Sequence, residues 1–213
     1  EKLMISVFKK FSNKNIKSEK FPKISYEESM LKYGTDKPDL RNPLLISDLT
    51  EIFTREDVKF EIFKKLVKDG SRVRAILTKN TNDKPRSFFD GIDKWAKEEG
   101  ASGLAYFTFE SNDKISAKGP VGKLFSEDSL KEIMKITSAE VGDSIFLACD
   151  KINEVEKIIS SARDKIGNEL KLINNQEFAF CWIVDYPMFE IDDLTKKIKF
   201  SHNPFSMPQG DTN

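Results

Sequence analysis

The strongest constraint on the fold is an apolar run near the end of the sequence, FAFCWIVDY, from Phe178 to Tyr186, closed by Pro187. A run this short, rich in aromatic and β-branched residues, reads as a strand buried on both faces, the kind found in the middle of a larger sheet. A second short strand is expected around Ile198 to Phe200, after an acidic turn at Asp192 and Asp193. Then comes Ser201-His202-Asn203-Pro204-Phe205, which holds the only histidine in the chain. A core strand followed by a polar turn at a sheet's edge is where a binding site would be built. The sequence stops at Asn213, just past that turn, so the sheet is expected to be cut off.

The preceding residues have a different texture. Leu3, Val7, Phe8 and Phe11 recur at helical spacing, and a lysine-rich loop runs from Ser12 to Lys20. Ser25 with Glu28 three residues on is a capping-box signature, and Gly34 is the expected left-handed cap of that helix. From Asn42 the pattern predicts a short helix at Ser47 to Phe53, a strand at Ser71 to Thr78, and a helix at Arg86 to Glu99 stopped by Gly100. Strands follow at Gly103 to Phe109 and Ile115 to Val121, then a helix capped by Ser126 that buries Leu130, Ile133, Met134 and Ile136. A strand at Ser144 to Cys149 and a helix at Lys151 to Ile166, closed by Gly167, complete the set. The mixed order with short hairpins predicts an α+β fold, an antiparallel sheet with helices on one face. Residues 42–173 read as a compact module inserted between two incomplete pieces, 1–41 and 174–213, which belong together.

Composition narrows the function classes. Charged residues are 33% of the chain and cancel to zero net charge, which argues against a globally basic nucleic-acid binder but permits a local basic patch. No apolar run approaches the roughly 20 residues that cross a bilayer, so no membrane partner is expected, and Glu1-Lys2-Leu3-Met4 does not open a signal peptide. Cys149 and Cys181 both fall in expected strands and read as small buried apolar residues of a reducing compartment, with no metal-ligand spacing.

Three stretches are candidates for chemistry. Tyr33 to Arg41 packs Asp36, Lys37, Asp39 and Arg41 around Pro38, and reads either as a site or as a connector whose charges pair locally. Asp185 and Glu190 flank the end of the apolar strand, where a carboxylate either acts or terminates the strand. His202 is either an anion contact and proton carrier or an ordinary loop histidine. Gly119-Pro120-Val121-Gly122-Lys123 lacks the full phosphate-loop pattern and is rejected as one.

The strings FPKISYEESMLKYGTDKPDLRNP, GLAYFTFE, AKGPVGKLF and WIVDYPMFE, with SHNPF, together resemble bacterial-type aspartyl-tRNA synthetase over essentially the whole chain. That resemblance implies a class II antiparallel catalytic sheet interrupted by a GAD domain. Residues 42–173 would be the insertion, 1–41 the catalytic segment after motif 2, and 174–213 the return into the catalytic domain. It implies an aspartate–tRNA ligase in the cytoplasm, using ATP and Mg2+ to activate aspartate and transfer it to tRNA, as a homodimer. His202 matches the first histidine of the family's frequent His-His-Pro-Phe and would contact substrate aspartate, while Asn203 departs from the pattern at the next position. The Phe-Arg-x-Glu of motif 2 and the Gly-Leu-x-x-Gly-x-Asp-Arg of motif 3 are not found in these residues, nor are motif 1 and the anticodon-binding domain. The chain by itself is therefore expected to be an inactive fragment, with no catalytic residue and no cofactor of its own. Two readings from other classes stand beside it: a free-standing, tRNA-associated GAD-type binding module, and a purely structural domain. A free module would have no use for the strand after residue 173.

Overall fold

The computed structural model describes residues 1–111, 113–192 and 195–201. Its centre is a five-stranded sheet built from β3 (Ile46–Asp48), β4 (Arg72–Thr78), β5 (Ala105–Ser111), β6 (Ile115–Lys118) and β7 (Ser144–Asp150). Their spatial order is β3-β4-β7-β5-β6, and every neighbouring pair is antiparallel. The α+β expectation holds, but the helices lie on both faces. Val73, Ala75, Phe107, Phe109, Ile145, Leu147 and Cys149 point to one side. There they pack on a 3-10 turn at Thr50–Thr54, on α3 (Glu61–Lys68) and on α5 (Glu127–Thr137). Ile76, Tyr106, Phe146 and Ala148 point to the other, onto α4 (Arg86–Glu98) and α6 (Ile152–Glu169). The cause is visible in β7, whose SIFLAC is apolar at every position after the serine, not at alternate ones, so both of its faces need a cover.

Local chemistry explains most boundaries. Ser126 Oγ accepts from the Ser129 amide at 3.0 Å and starts α5. Gly100 stops α4 with φ +90°, a conformation other residues adopt at a cost. Several expectations fail. Ser47 to Phe53 is a strand end and a 3-10 turn, not a helix, because the Asp48 carboxylate accepts from the Thr50 amide at 2.8 Å and breaks the backbone there. Gly167 lies inside α6, not at its end, and is needed for space: a Cβ there would stand 2.5 Å from Asn42 Nδ2. Ile136 is 43% exposed, although Leu130 and Ile133 are buried and Met134 packs at the core's margin. Helix α3 has no counterpart in the sequence expectation, though Phe60, Phe63 and Val67 recur at helical spacing and pack on the first core.

The two ends of the chain pair with each other. β1 (Asn15–Ile16) runs parallel to β8 (Glu177–Phe178), and β2 (Lys23–Ser25) runs parallel to β9 (Trp182–Val184). Phe8 of α1 (Lys2–Phe11) meets Phe178 and Phe180 edge-on at 4.7 and 4.8 Å, and Phe21 meets Phe180 at 5.0 Å. β10 (Phe189–Ile191) and β11 (Ile198–Phe200) form an antiparallel hairpin. The expected strand buried on both faces is instead short and broken, with Trp182 46% exposed and Ile183 and Val184 half-buried. Among the described residues β9 has a single hydrogen-bonded neighbour, β2, so nothing covers its other edge. Cys181 precedes β9, outside any strand, and is half-buried, while Cys149 is buried in β7; both are free thiols.

Candidate functional site

The site region is the loop that leaves α2 (Tyr26–Tyr33), together with the segment that returns beside it after residue 173. Helix α2 starts where the Ser25 hydroxyl accepts from the Glu28 amide at 3.1 Å. Glu28 then turns outward to Lys32 at 2.7 Å and does not reach back to close a reciprocal capping box. The helix ends at Gly34, whose φ is +69° and whose amide bonds the Met30 carbonyl at 3.0 Å. The buried Ser29 hydroxyl donates to the Thr35 carbonyl at 2.7 Å and ties the loop back onto α2.

In that loop the charges pair locally. Lys37 Nζ binds both Asp36 oxygens at 2.8 and 2.9 Å. Asp39 takes a bidentate fork from Arg41 and also accepts the Arg41 amide, all between 2.7 and 3.2 Å. The Arg41 guanidinium holds the Asp39 carboxyl below the usual carboxylate range, with further help from Arg163. The loop is thus a self-neutralised connector, the second of its two sequence readings.

It is fixed from below by Arg163 of α6, 1% exposed, a residue that the sequence reading does not single out. Its Nε donates to the Leu44 carbonyl at 2.7 Å, and its Nη2 donates to the Asn42 and Asp39 carbonyls at 2.7 and 2.9 Å. The guanidinium also lies over the Tyr33 ring, 5.0 Å from its centroid. Burial lowers the Arg163 pKa, opposed by Asp164, Tyr33 and Asp39. Asn42 closes the return link, donating to the Arg163 carbonyl at 2.9 Å while its own Oδ1 accepts the Leu44 amide.

The returning segment touches the loop through Tyr186, whose hydroxyl donates to the Asp36 carbonyl at 3.4 Å and whose ring lies 5.2 Å from that of Tyr26. Burial, then the Asp36 charge, raises both phenols above their usual range. Asp185 turns the chain after β9 in the left-handed region, φ +58°. Glu190 bonds Lys199 at 3.3 Å and accepts from Ser201 at 3.3 Å, so it staples the hairpin. Asp192 sits in the tip of that hairpin, where the Thr195 amide and hydroxyl and then Lys199 bring its pKa down to about 2. Asp193, His202, Asn203, Pro204 and Phe205 lie outside the described residues. Ser201, the residue before His202, is the last one described.

Elsewhere, Gly119 and Gly122 allow close backbone approach: a Cβ at Gly122 would lie 2.5 Å from the Ala117 carbonyl oxygen. Among the described residues, no group of three or more His, Cys, Asp and Glu side chains is placed to hold a metal ion, and no helix is long and apolar enough to cross a membrane.

The GAD domain model matches residues 63–159. The aspartate–tRNA(Asp/Asn) ligase of Pelagibacter ubique is 74% identical over 211 residues, which are 99% of this chain and 36% of that protein. The ligase of the same name from Wolbachia pipientis wMel is 52% identical, over 99% of this chain and 34% of its own length. That of Beijerinckia indica is 46% identical, over 99% and 35%. The chain thus spans about a third of the length of the curated relatives it matches. Residues 63–159 are a GAD domain, and the chain as a whole, flanks included, is related to one contiguous third of the aspartate–tRNA ligases.

Proposed function

We propose that this chain is the part of an aspartate–tRNA ligase that carries the GAD insertion and the catalytic segments on either side of it. The observation that supports this most is similarity over 99% of the chain, so that the flanks are matched as well as the GAD residues. This disfavours a free-standing module, which has no use for the flanks. On this reading residues 42–173 are the insertion, 1–41 and 174–213 belong to one catalytic domain, and their parallel pairings are its local contacts.

The ligase uses ATP with Mg2+ to turn aspartate into aspartyl-adenylate, releasing pyrophosphate, and then passes the aspartyl group to tRNA, releasing AMP, in the cytoplasm and as a homodimer. The electrostatic problem is the approach of a substrate carboxylate to a polyphosphate, which needs fixed cations on both. In this chain Asp36 and Asp39 are already neutralised by Lys37 and Arg41, so the connector carries little net charge of its own. On this reading His202, which follows Ser201 in the sequence, donates to the substrate aspartate, and a hydrogen bond to a charged carboxylate is stronger than one to an uncharged lookalike. The residues that hold ATP come from the rest of the ligase.

A chimera in which these residues replace the matching third of the Pelagibacter ubique ligase tests the reading. The chimera should catalyse aspartate-dependent ATP–pyrophosphate exchange, and the 213-residue chain alone should not. A folded chimera without exchange, or exchange by the chain alone, would overturn it.

A further inference from the structure

We infer that Arg163 is a positioning residue through which the central module sets the Asp36–Leu44 connector and, through that connector, the segment leading to His202. The inference deepens the proposed function and rests on it for its link to aspartate.

Arg163 stands on α6, yet its hydrogen bonds leave the helix. Three carbonyls accept from it, those of Asp39, Asn42 and Leu44, over a stretch of six residues that joins the first flank to the sheet. A lysine cannot reproduce this pattern, because a single ammonium lacks the planar fork that reaches separate acceptors at once. The charge is nearly out of solvent, and its nearest carboxylate, that of the exposed Asp164, is 3.4 Å away. Such a group is costly to bury unless the geometry it enforces is kept, so the carbonyls must stay where the fork holds them.

Two glycines add to this grip, one just before the connector and one beneath it. Gly34 sits against α6, where a Cβ would lie 2.9 Å from the Glu156 carbonyl oxygen and 3.0 Å from Ser160 Cβ. Gly167 of α6 leaves room for the Asn42 side chain. Farther along, the Asp36 carbonyl accepts from Tyr186, and Tyr186 lies in the segment that runs through β10 and β11 to Ser201. A continuous chain of packed and bonded groups therefore joins α6, the connector and the returning segment. Displacing the connector moves the returning segment that it bonds at Tyr186, and on the proposed function that segment leads to the aspartate contact, where shifts near 1 Å cost up to about a hundredfold in rate.

Arg163→Lys tests this, with Ile92→Ala as a comparison. Ile92 is a buried residue of α4 in the core that also takes Leu44, and its truncation destabilises the module while leaving every hydrogen bond between Arg163 and the connector in place. In the 213-residue chain, Arg163→Lys should speed amide exchange in residues 36–44 and around Tyr186 by about tenfold or more, while Ile92→Ala should not do so selectively. Equal exchange in the wild type and Arg163→Lys, or the same local pattern with Ile92→Ala, would overturn the positioning role. In the chimera, Arg163→Lys should raise KM for aspartate about tenfold with KM for ATP unchanged, an effect that Ile92→Ala lacks. Local exchange without the KM change would confine Arg163 to holding the connector and overturn its role in placing the aspartate site. A silent wild-type chimera would count against the ligase reading alone, and the exchange arm would still decide the role of Arg163 in the connector.

Discussion

Tyr106 donates its hydroxyl to Asp90 at 2.7 Å, and burial followed by that carboxylate pushes its pKa from 10.0 up to about 12. A folded-state pKa above the unfolded value stabilises the protein fully below pH 10, and that contribution is lost as the pH rises towards 12. Tyr106→Phe removes that titration, so its stability should rise relative to the wild type's as the pH passes from 10 towards 12. Denaturant unfolding across that range reads the effect, and parallel curves would contradict it. His202 makes a prediction of another kind, since its role was legible only through resemblance and its neighbours lie outside the described residues. Loss of a hydrogen bond to a charged group costs about 1.5–3 kcal/mol, roughly a 10- to 150-fold effect. His202→Ala in the chimera should raise KM for aspartate by that factor and leave KM for ATP and the melting temperature unchanged. A lower melting temperature with unaltered aspartate kinetics would make His202 an ordinary loop residue. Arg163 was not legible at all: a lone arginine on an amphipathic helix reads as a solvated face, and its acceptors lie about 120 residues away in sequence.

Gly34 combines two demands at the end of α2, a left-handed backbone at φ +69° and close contact with α6. The first was readable from a glycine at the end of a capped helix; the second needs the tertiary structure. Left-handed backbone costs a residue with Cβ about 1–2 kcal/mol, and the contact at Glu156 adds to it. Gly34→Ala should lower the urea midpoint accordingly, and an unchanged midpoint would show that the cap relaxes freely. Local signals of this type marked the start of α2 at Ser25 and of α5 at Ser126. They failed at Ser47 to Phe53, where Asp48 diverts the backbone, and they passed over α3, a short helix that packs only Phe63, Leu66 and Val67 partway into the core. Period also decided the layers. The unbroken apolar run of β7 announced two covered faces, and the expectation of helices on one face ignored it.

For the whole molecule, the same kind of run misled in the opposite direction. FAFCWIVDY carries the composition of a central strand, but among the described residues it finds a partner on one edge only, and Trp182 stays 46% exposed. The hairpin beyond it leaves Ile191, Ile198 and Phe200 66–75% exposed, and α1 leaves Leu3 and Phe11 at 76% and 77%. A third of a ligase would present apolar surface of this kind, and the pairing of the two flanks across the module was legible because both looked incomplete alone. The most direct test of that account is tRNA aspartylation by the chimera that carries this chain in place of the matching third of the Pelagibacter ubique ligase. At 74% identity the account predicts a kcat/KM within about tenfold of the parent enzyme's. A chimera that folds, binds tRNA and yet transfers no aspartate would contradict it.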